Sequence, residues 1–252
     1  MSSSQAPASA TEQGAGVPLL TTSAGAVSKK NSILPLWLIY IIPGALILVN
    51  YVVCVVYLMN HYGANDANPD QRGGFNLWGS IYDKKYTWLY ALYQIGFLVA
   101  ASGFIMNMYY VFTVASLIPT NLYSKLCSAM AVFMVFEHLW MPACCLYIGD
   151  PKNRDWLWWF IFVELKICAL AIIAVAVCTT LIPPELAEYA SWKGGEETKT
   201  SENGGGRTKR TVGVVGSWMI AAHCTLLDGI MWPFFFNDDG RFSTIKRLDP
   251  NY

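Results

Sequence analysis

The chain has 252 residues, of which 54% are hydrophobic and only 13% are charged. Soluble domains carry about 25% charged residues, so this composition, with a mean hydropathy of +0.36, excludes an ordinary soluble protein. Its 17 basic and 17 acidic side chains balance, which excludes the basic patch that nucleic-acid binding requires. We therefore predict an integral membrane protein whose immediate partner is the lipid bilayer.

The chain begins with a polar segment, residues 1–32, most of which is rich in Ser, Ala, Thr and Gly. Such a composition does not bury enough apolar surface to fold, so we predict a disordered N-terminal tail. The tail lacks the arginines of a mitochondrial presequence and the basic and apolar regions of a cleaved signal. A plastid leader is the weaker interpretation of this segment, and the plasma membrane or an endomembrane is the favoured location.

Five apolar runs follow the tail, and each is longer than the roughly 20 residues that cross a bilayer. They are residues 33–59, 86–118, 123–148, 156–182 and 212–236. The second run is too long for one upright span, so we expect it to tilt or to project from the membrane. Its Gly96, Ala100 and Gly103 offer a stripe of small residues for close helix contact. The predicted fold is an all-α, five-span transmembrane bundle, with spans 1–4 in residues 33–182.

The connections between the runs differ in kind. The first loop contains Phe75, Trp78 and Tyr82, aromatic residues suited to packing against the bundle. The next two loops are short, so spans two to four are expected to be antiparallel neighbours. Residues 183–211 are rich in Gly, Glu, Lys and Thr and are predicted to be a flexible linker. Residues 212–252 then supply span five and a C-terminal tail.

The distribution of Lys and Arg leaves the membrane orientation nearly undetermined. With five spans, eight basic residues fall on each side of the membrane, so the positive-inside rule ties. Lys29 and Lys30 lie directly before the first span, and the chain has no N-glycosylation sequon. These two features favour a cytosolic N-terminus.

The seven cysteines all lie inside the apolar runs, so no disulfide framework is predicted. His138, His223, Glu137 and Asp228 are the candidate ligands for a metal site, because imidazole and carboxylate suit several metals. None of these pairs has the i, i+4 spacing that places two ligands on one helical face. We therefore predict neither a metal nor a cofactor.

Two of the apolar runs carry a similar short pattern, in which an acid precedes a proline by five residues with Trp and Met between them. EHLWMP ends at Pro142, and DGIMWP ends at Pro233. A proline within a helix cannot donate a hydrogen bond to the carbonyl four residues earlier, so the carbonyls of His138 and Gly229 are freed. In hydrocarbon each freed oxygen needs water, a side chain or a cation as its partner. The two motifs lie on spans of the same direction and could face each other across span four.

Six ionisable side chains lie within spans three to five: Glu137, His138, Glu164, Lys166, His223 and Asp228. At 1.5 Å of rise per residue, all six lie about 12–20 Å from the same end of the runs. An isolated charge in hydrocarbon costs about 2.5–3.5 kcal/mol, so these groups are expected to neutralise one another and Lys166 to face a carboxylate. On an α-helix His223 and Asp228 would diverge by about 140°. We predict one polar core shared by three helices.

Three interpretations of this polar core remain open, beside a purely structural network that fixes helix register. The first is proton- or cation-coupled transport, because mid-membrane acids and histidines beside broken helices serve such relays. The second is an intramembrane enzyme acting on a lipid by acid/base chemistry, although no catalytic signature such as HExxH or GxSxG occurs. The third is a structural or assembly subunit of a membrane complex, or a homo-oligomer.

The enzyme interpretation makes a specific structural prediction. It requires a side cavity that opens to the acyl chains beside the two helix-breaking prolines, Pro142 and Pro233. The side chains expected to line that cavity are Trp140, Met141, Met231 and Trp232.

Overall fold

The computed structural model describes residues 31–62, 77, 87–149, 155–193 and 205–233. These residues form helices and the turns between them, and they contain no β-strand. Five of the helices are long and apolar enough to cross a bilayer. The predicted all-α bundle with five spans is therefore confirmed, and the protein is a multi-pass membrane protein.

The described part of the chain forms six helices, two of which contain a π-helical stretch. In chain order they are α1 (Leu34–Leu36, Trp37–Ile41 and Ile42–Tyr62), α2 (Thr87–Val114), α3 (Thr120–Gly149), α4 (Asp155–Thr180), α5 (Pro184–Lys193) and α6 (Gly205–Ala222 and His223–Met231). The stretches Trp37–Ile41 and His223–Met231 are π-helical, with hydrogen bonds that span five residues, such as Ile42 N–H to the Trp37 carbonyl and Trp232 N–H to the Leu227 carbonyl. Pro43 and Pro233 follow these two stretches closely, whereas Pro142 lies inside the regular α-helix of α3.

The helices divide into a central group and a peripheral group. About half of each apolar span is buried in α3, α4 and α6 (44%, 50% and 44%), whereas α1 and α2 are 11% and 17% buried. Helix α4 packs against both α3 and α6, while α1 packs on α3 and α2 packs on α6. A helix that is apolar all round and still exposed suits contact with lipid. We therefore place α1 and α2 at the rim of the bundle, next to the acyl chains.

The contact between α2 and α6 depends on Gly96 and Gly103, two of the three small residues predicted for the second run. A Cβ atom added at Gly103 would collide with the carbonyl of Gly216, and one added at Gly216 would collide with the carbonyl of Gly103. A Cβ atom at Gly96 would likewise meet the ring of His223. These glycines allow the two helix backbones to approach closely, which is the role expected of a small-residue stripe.

The turn between α2 and α3 corrects the predicted limits of the second and third spans. Helix α2 ends at Val114 rather than at 118, and α3 begins at Thr120 rather than at 123. Pro119 accounts for the break, because the residue before a proline is disfavoured in helical conformation. The second run was therefore not one overlong span but a span of ordinary length followed by a turn.

The last residues of the predicted N-terminal tail belong to the folded bundle. The side-chain amide of Asn31 donates to the carbonyls of Ala115 and Ile118, at 3.1 and 2.6 Å. The hydroxyl of Tyr123 donates to the carbonyl of Ser32 at 2.6 Å. The two Asn31 bonds satisfy carbonyls of the turn between α2 and α3, and together the three bonds tie residues 31 and 32 to the bundle. Residues 1–30 lie outside the described part.

The predicted flexible linker, residues 183–211, is partly helical. Helix α5 occupies Pro184–Lys193, with a proline at its first position and Glu185 in its first turn. Both features favour a helix N-terminus, because the proline lacks only an N–H that would be unpaired and the acid complements the helix dipole. Residues 194–204 lie outside the described part of the chain.

Helix α6 begins at Gly205 rather than at 212, so its first turns come from the polar part of the predicted linker. The guanidinium of Arg210 donates to the carbonyls of Thr180 and Ile182, at 2.9 and 3.3 Å. Arg210 thereby caps the C-terminal end of α4 while holding the first turns of α6 in place. Polar composition alone suggested a linker, but this tertiary contact makes the segment helical.

Candidate functional site

A cavity of about 400 Å³ lies between α1 and α2 and is closed on its inner side by α3 and α6. Its wall is mainly apolar, and its lining residues are Tyr40, Ile41, Gly44, Ala45, Ile47, Leu48, Tyr51, Phe97, Ala100, Ala101, Phe104, Ile105, Met108, Phe133, Met134, Glu137, Ile220, His223, Cys224 and Asp228. The predicted lining residues Trp140, Met141, Met231 and Trp232 are not among them. A side cavity exists, but it opens beside α1 and α2 and not beside the two prolines.

The mouth of the cavity faces sideways, toward the acyl chains. Leu48 on α1 and Ile105 on α2 line the cavity and are 62% and 60% exposed. Helices α1 and α2 make few direct backbone contacts, and aromatic rings bridge them: Tyr40 lies 5.7 Å from Phe104, between ring centroids. Because both helices lie at the rim of the bundle, a bilayer-dissolved molecule would meet this mouth without passing through water.

Glu137 of α3 is held at the inner end of the cavity by side chains from three helices. Its Oε1 atom accepts hydrogen bonds from the Tyr51 hydroxyl and from the Trp140 indole N–H, both at 3.3 Å. The thiol of Cys168 lies 3.8 Å from Oε2. The carboxylate is therefore oriented by three donors and still reaches the cavity.

Asp228 and His223 of α6 form the second polar group of the cavity wall. The Nε2 atom of His223 lies 3.4 Å from Oδ2 of Asp228, and the two side chains are 7% and 17% exposed. The hydroxyl of Tyr93 on α2 donates a hydrogen bond to Asp228 Oδ1. Within the described residues, Nδ1 of His223 has no hydrogen-bond partner.

The pairing of His223 with Asp228 corrects the expected geometry of span five. On an α-helix these residues diverge by about 140°, and that divergence was predicted. The stretch His223–Met231 is instead π-helical, and a π-helix repeats its hydrogen bonds every five residues. The two side chains therefore fall on the same face, where the imidazole meets the carboxylate.

The two freed carbonyls each accept a hydrogen bond from a side chain, as the proline positions predict. The amide of Asn50 on α1 donates to the carbonyl of His138 at 3.0 Å, four residues before Pro142. The ammonium of Lys166 on α4 donates to the carbonyl of Gly229, four residues before Pro233. Both broken helices are thus satisfied by polar side chains of neighbouring helices.

Lys166 corrects the expectation that it would face a carboxylate. Among the described residues it makes no ion pair; its Nζ atom bonds the Gly229 carbonyl and lies 4.8 Å from the ring centroid of Phe162. A carbonyl that has lost its backbone donor is a strong hydrogen-bond acceptor in a low-dielectric interior. It therefore serves as the partner of the Lys166 ammonium where an acid was expected. Lys166 is also absent from the cavity lining.

Glu164 and His138 are members of the predicted polar core that do not line the cavity. Glu164 is 1% exposed, and neither of its carboxylate oxygens has a hydrogen-bond partner in the described part of the chain. The Nδ1–H of His138 donates to the carbonyl of Met134, one turn earlier, at 2.7 Å. Neither residue lines the cavity. The structure thus brings Glu137, His223 and Asp228 together, with Lys166 adjacent through the backbone of residue 229.

The two proline motifs do meet, but through tryptophans in the core. The rings of Trp140 and Trp232 lie edge to face with centroids 5.8 Å apart, and the two residues are only 6% and 1% exposed. The indole N–H of Trp232 donates to the carbonyl of the buried Leu77, the one described residue of the first loop, at 2.8 Å. Met141 is fully buried and Met231 packs against the same core cluster. These four side chains build the core instead of lining the cavity.

Sequence reasoning missed the contribution of α1 and α2 to the site. Asn50, Tyr51 and Tyr93 supply hydrogen bonds to the backbone or acids of the inner helices. Asparagine and tyrosine side chains carry no formal charge, so the positions of charged residues in the spans do not point to them. An amide in the middle of an apolar span is itself a signal, since polar groups there need partners.

The residues described include no group of three or more His, Cys, Asp and Glu side chains placed to hold a metal ion. All seven cysteines are free and lie in helices. No protein-family model, curated protein or solved structure matches the chain. The interpretation of the site therefore rests on its own chemistry: two acids and one histidine face an apolar cavity whose lining contains no Lys or Arg.

Proposed function

We propose that this membrane protein handles cations, either protons or a larger cargo, through the cavity that Glu137 and Asp228 share. One observation carries the proposal: two acids from different helices line the same cavity, and its lining contains no Lys or Arg. Acids and histidines at mid-membrane depth are what proton and cation pathways use. The π-helical stretch that holds Asp228 adds support, because such stretches are frequent at functional sites.

The bonding of Lys166 strengthens this proposal. An acid neutralised by a lysine would need no cation, but Lys166 bonds a backbone carbonyl instead. Glu137 is held by neutral donors, and Asp228 by Tyr93 and His223, whose charge depends on its protonation. A cation or shared proton therefore completes the charge balance of the cavity.

The test is a flux measurement with purified protein in liposomes. Glu137→Gln and Asp228→Asn keep the side-chain size and remove the charge, so each is expected to lower proton or cation flux by about tenfold or more, equivalent to about 1.4 kcal/mol. Glu164→Gln is the matched control, because Glu164 lies in the same helical core but outside the cavity lining. Unchanged flux in both cavity variants, or an equal loss in the control, would refute the proposal.

A second candidate function is acid/base chemistry on a lipid. It is favoured by the His223–Asp228 pair, which resembles a base and the group that orients it, at the end of a cavity that opens to lipid. Incubation of the protein with a total lipid extract, followed by mass spectrometry, tests this function. It predicts a product whose formation requires both His223 and Asp228; lipid unchanged by the wild-type protein would exclude it.

We further propose that the N-terminus is cytosolic. The loop between α2 and α3 and residues 183–211 then lie on the same side of the membrane. The proposal rests on Lys29 and Lys30, which precede the first span. A cysteine introduced at Ser3 in a cysteine-free variant should not react with a membrane-impermeant maleimide in intact cells, but should react once digitonin has permeabilised the plasma membrane alone. Labelling of intact cells, or labelling only after all membranes are permeabilised, would place the N-terminus on the other side.

A further inference from the structure

We infer that the cavity binds a lipophilic amine in its protonated form, which enters from the bilayer between α1 and α2. This inference rests on the proposed cation-handling function and names the class of its cargo. A bare proton needs a path of polar groups but not an apolar space of about 400 Å³. That volume lies in the usual range of ligand pockets, about 300–1,000 Å³, whose walls are mostly apolar with a few placed polar groups.

The charge of the cargo follows from the polar end of the cavity. Glu137 and Asp228 line it together, and no Lys or Arg does. Aromatic rings add to this preference, since Tyr40, Tyr51 and Phe97 are in the lining and aromatic faces attract cations. An anionic lipid or fatty acid would be repelled at this end, and a neutral alcohol would gain nothing from the two acids.

The acceptors at the polar end narrow the class further. Glu137 and Asp228 line the cavity, and an ionised carboxylate only accepts hydrogen bonds. An ammonium group that keeps an N–H can donate a charge-assisted hydrogen bond to such an acceptor, whereas a quaternary ammonium cannot. Primary, secondary and tertiary amines therefore fit better than quaternary ones.

The route of entry follows from where the cavity opens. Its mouth lies between α1 and α2 and is flanked by exposed residues such as Ala45 and Ala101. An amine with an apolar body concentrates in the bilayer, where it would reach this mouth laterally with its charged group leading inward. The apolar body then occupies the wall built by α1 and α2 while the ammonium meets the acids.

The probe for this inference is tritiated N,N-dimethyldecylamine, with the full-length protein in lipid nanodiscs and binding read by scintillation proximity. The double variant Glu137→Gln with Asp228→Asn supplies the background of nonspecific partitioning. Saturable binding above this background is expected, and each single variant should weaken it by about tenfold or more. Ala101→Phe, which narrows the mouth, should also weaken it, whereas Leu98→Phe, on the same helix but outside the lining, should not.

Competition experiments test the chemical class. Unlabelled decylamine should displace the probe, while decanol and decanoate should not, and decyltrimethylammonium should compete more weakly than the tertiary amine. Equal competition by decanol would overturn the recognition of charge, and equal competition by the quaternary amine would overturn the requirement for an N–H donor on the amine.

Flux measurements on the same proteins separate this inference from the function beneath it. No saturable amine binding, together with ion flux that still depends on Glu137 and Asp228, would overturn the amine and leave the cation function standing. If the variants keep both amine binding and ion flux, the amine inference and the cation function are both overturned. Amine binding that requires both acids and is blocked by Ala101→Phe would support the inference.

Discussion

Replacement of Asn50 by Ala should destabilise the bundle because it removes the donor for a carbonyl that a proline has freed. The Asn50 amide lies 3.0 Å from the His138 carbonyl, and Pro142 cannot supply the N–H that an ordinary helix would offer this oxygen. Side-chain hydrogen bonds between membrane helices contribute about 0.6 kcal/mol on average and up to about 1.7. A buried acceptor left unpaired costs about 1–3 kcal/mol. We expect Asn50→Ala to cost about 1–2 kcal/mol.

A double-mutant cycle isolates that hydrogen bond from the packing that Asn50 also provides. Pro142→Ala restores a backbone N–H facing the His138 carbonyl, so the Asn50 amide becomes redundant. The cost of Asn50→Ala should therefore fall by about 1 kcal/mol in the Pro142→Ala background. Unfolding in mixed micelles with a rising fraction of sodium dodecyl sulfate, followed by tryptophan fluorescence, gives each free energy.

The control for this cycle is a second buried amide in the bundle. Asn107 forms hydrogen bonds with Tyr40 of α1 and Thr179 of α4, neither of which belongs to α3, so Asn107→Ala should cost the same with either residue at position 142. The reasoning is refuted if the cost of Asn50→Ala is also the same in both backgrounds.

Two further predictions concern helix contacts. Gly216→Ala should destabilise the protein by about 1–3 kcal/mol, because the new methyl group collides with the Gly103 carbonyl. Gly44→Ala is the control, because its methyl group meets only ordinary contacts with the Phe104 ring and should be tolerated. Thermal melting in detergent compares the two variants. Lys166→Met and Glu137→Gln should have additive effects on the free energy of unfolding, to within about 0.5 kcal/mol, because these residues form no ion pair. A larger coupling energy in the double variant would show that the two residues interact.

The parts of the fold that could be predicted from sequence are those set by local chemistry. Length and apolarity of a run determine whether a helix can span the bilayer, and the five spans follow from them. A proline removes a donor wherever the helix continues through it, so the open carbonyls of His138 and Gly229 could be foreseen. The end of α2 at Val114 was equally local, and the turn-forming effect of Pro119 was the overlooked signal.

What could not be predicted depends on which helices become neighbours. The sequence near Pro142 does not indicate that the donor for the open His138 carbonyl is Asn50, which lies 88 residues before His138 in the chain. The pairing of His223 with Asp228 required the π-helical register, and the depth count assumed an α-helix throughout. Equal depth placed six groups in one layer, but it carries no information about which side of each helix faces the cavity. Glu164 and His138 share the layer but do not line the cavity.

The bonding partner of Lys166 bears directly on the cationic cargo that we propose for the cavity. A lysine facing Glu137 or Asp228 would have neutralised the acid nearest to it and left an apolar cavity suited to an uncharged molecule. By bonding the Gly229 carbonyl, Lys166 repairs the broken α6 helix and places its charge outside the cavity lining. The same proline that breaks the helix therefore also removes the lysine from the acids. The unbalanced acids at the inner end, and the preference for a cationic cargo that we infer from them, follow from this backbone hydrogen bond.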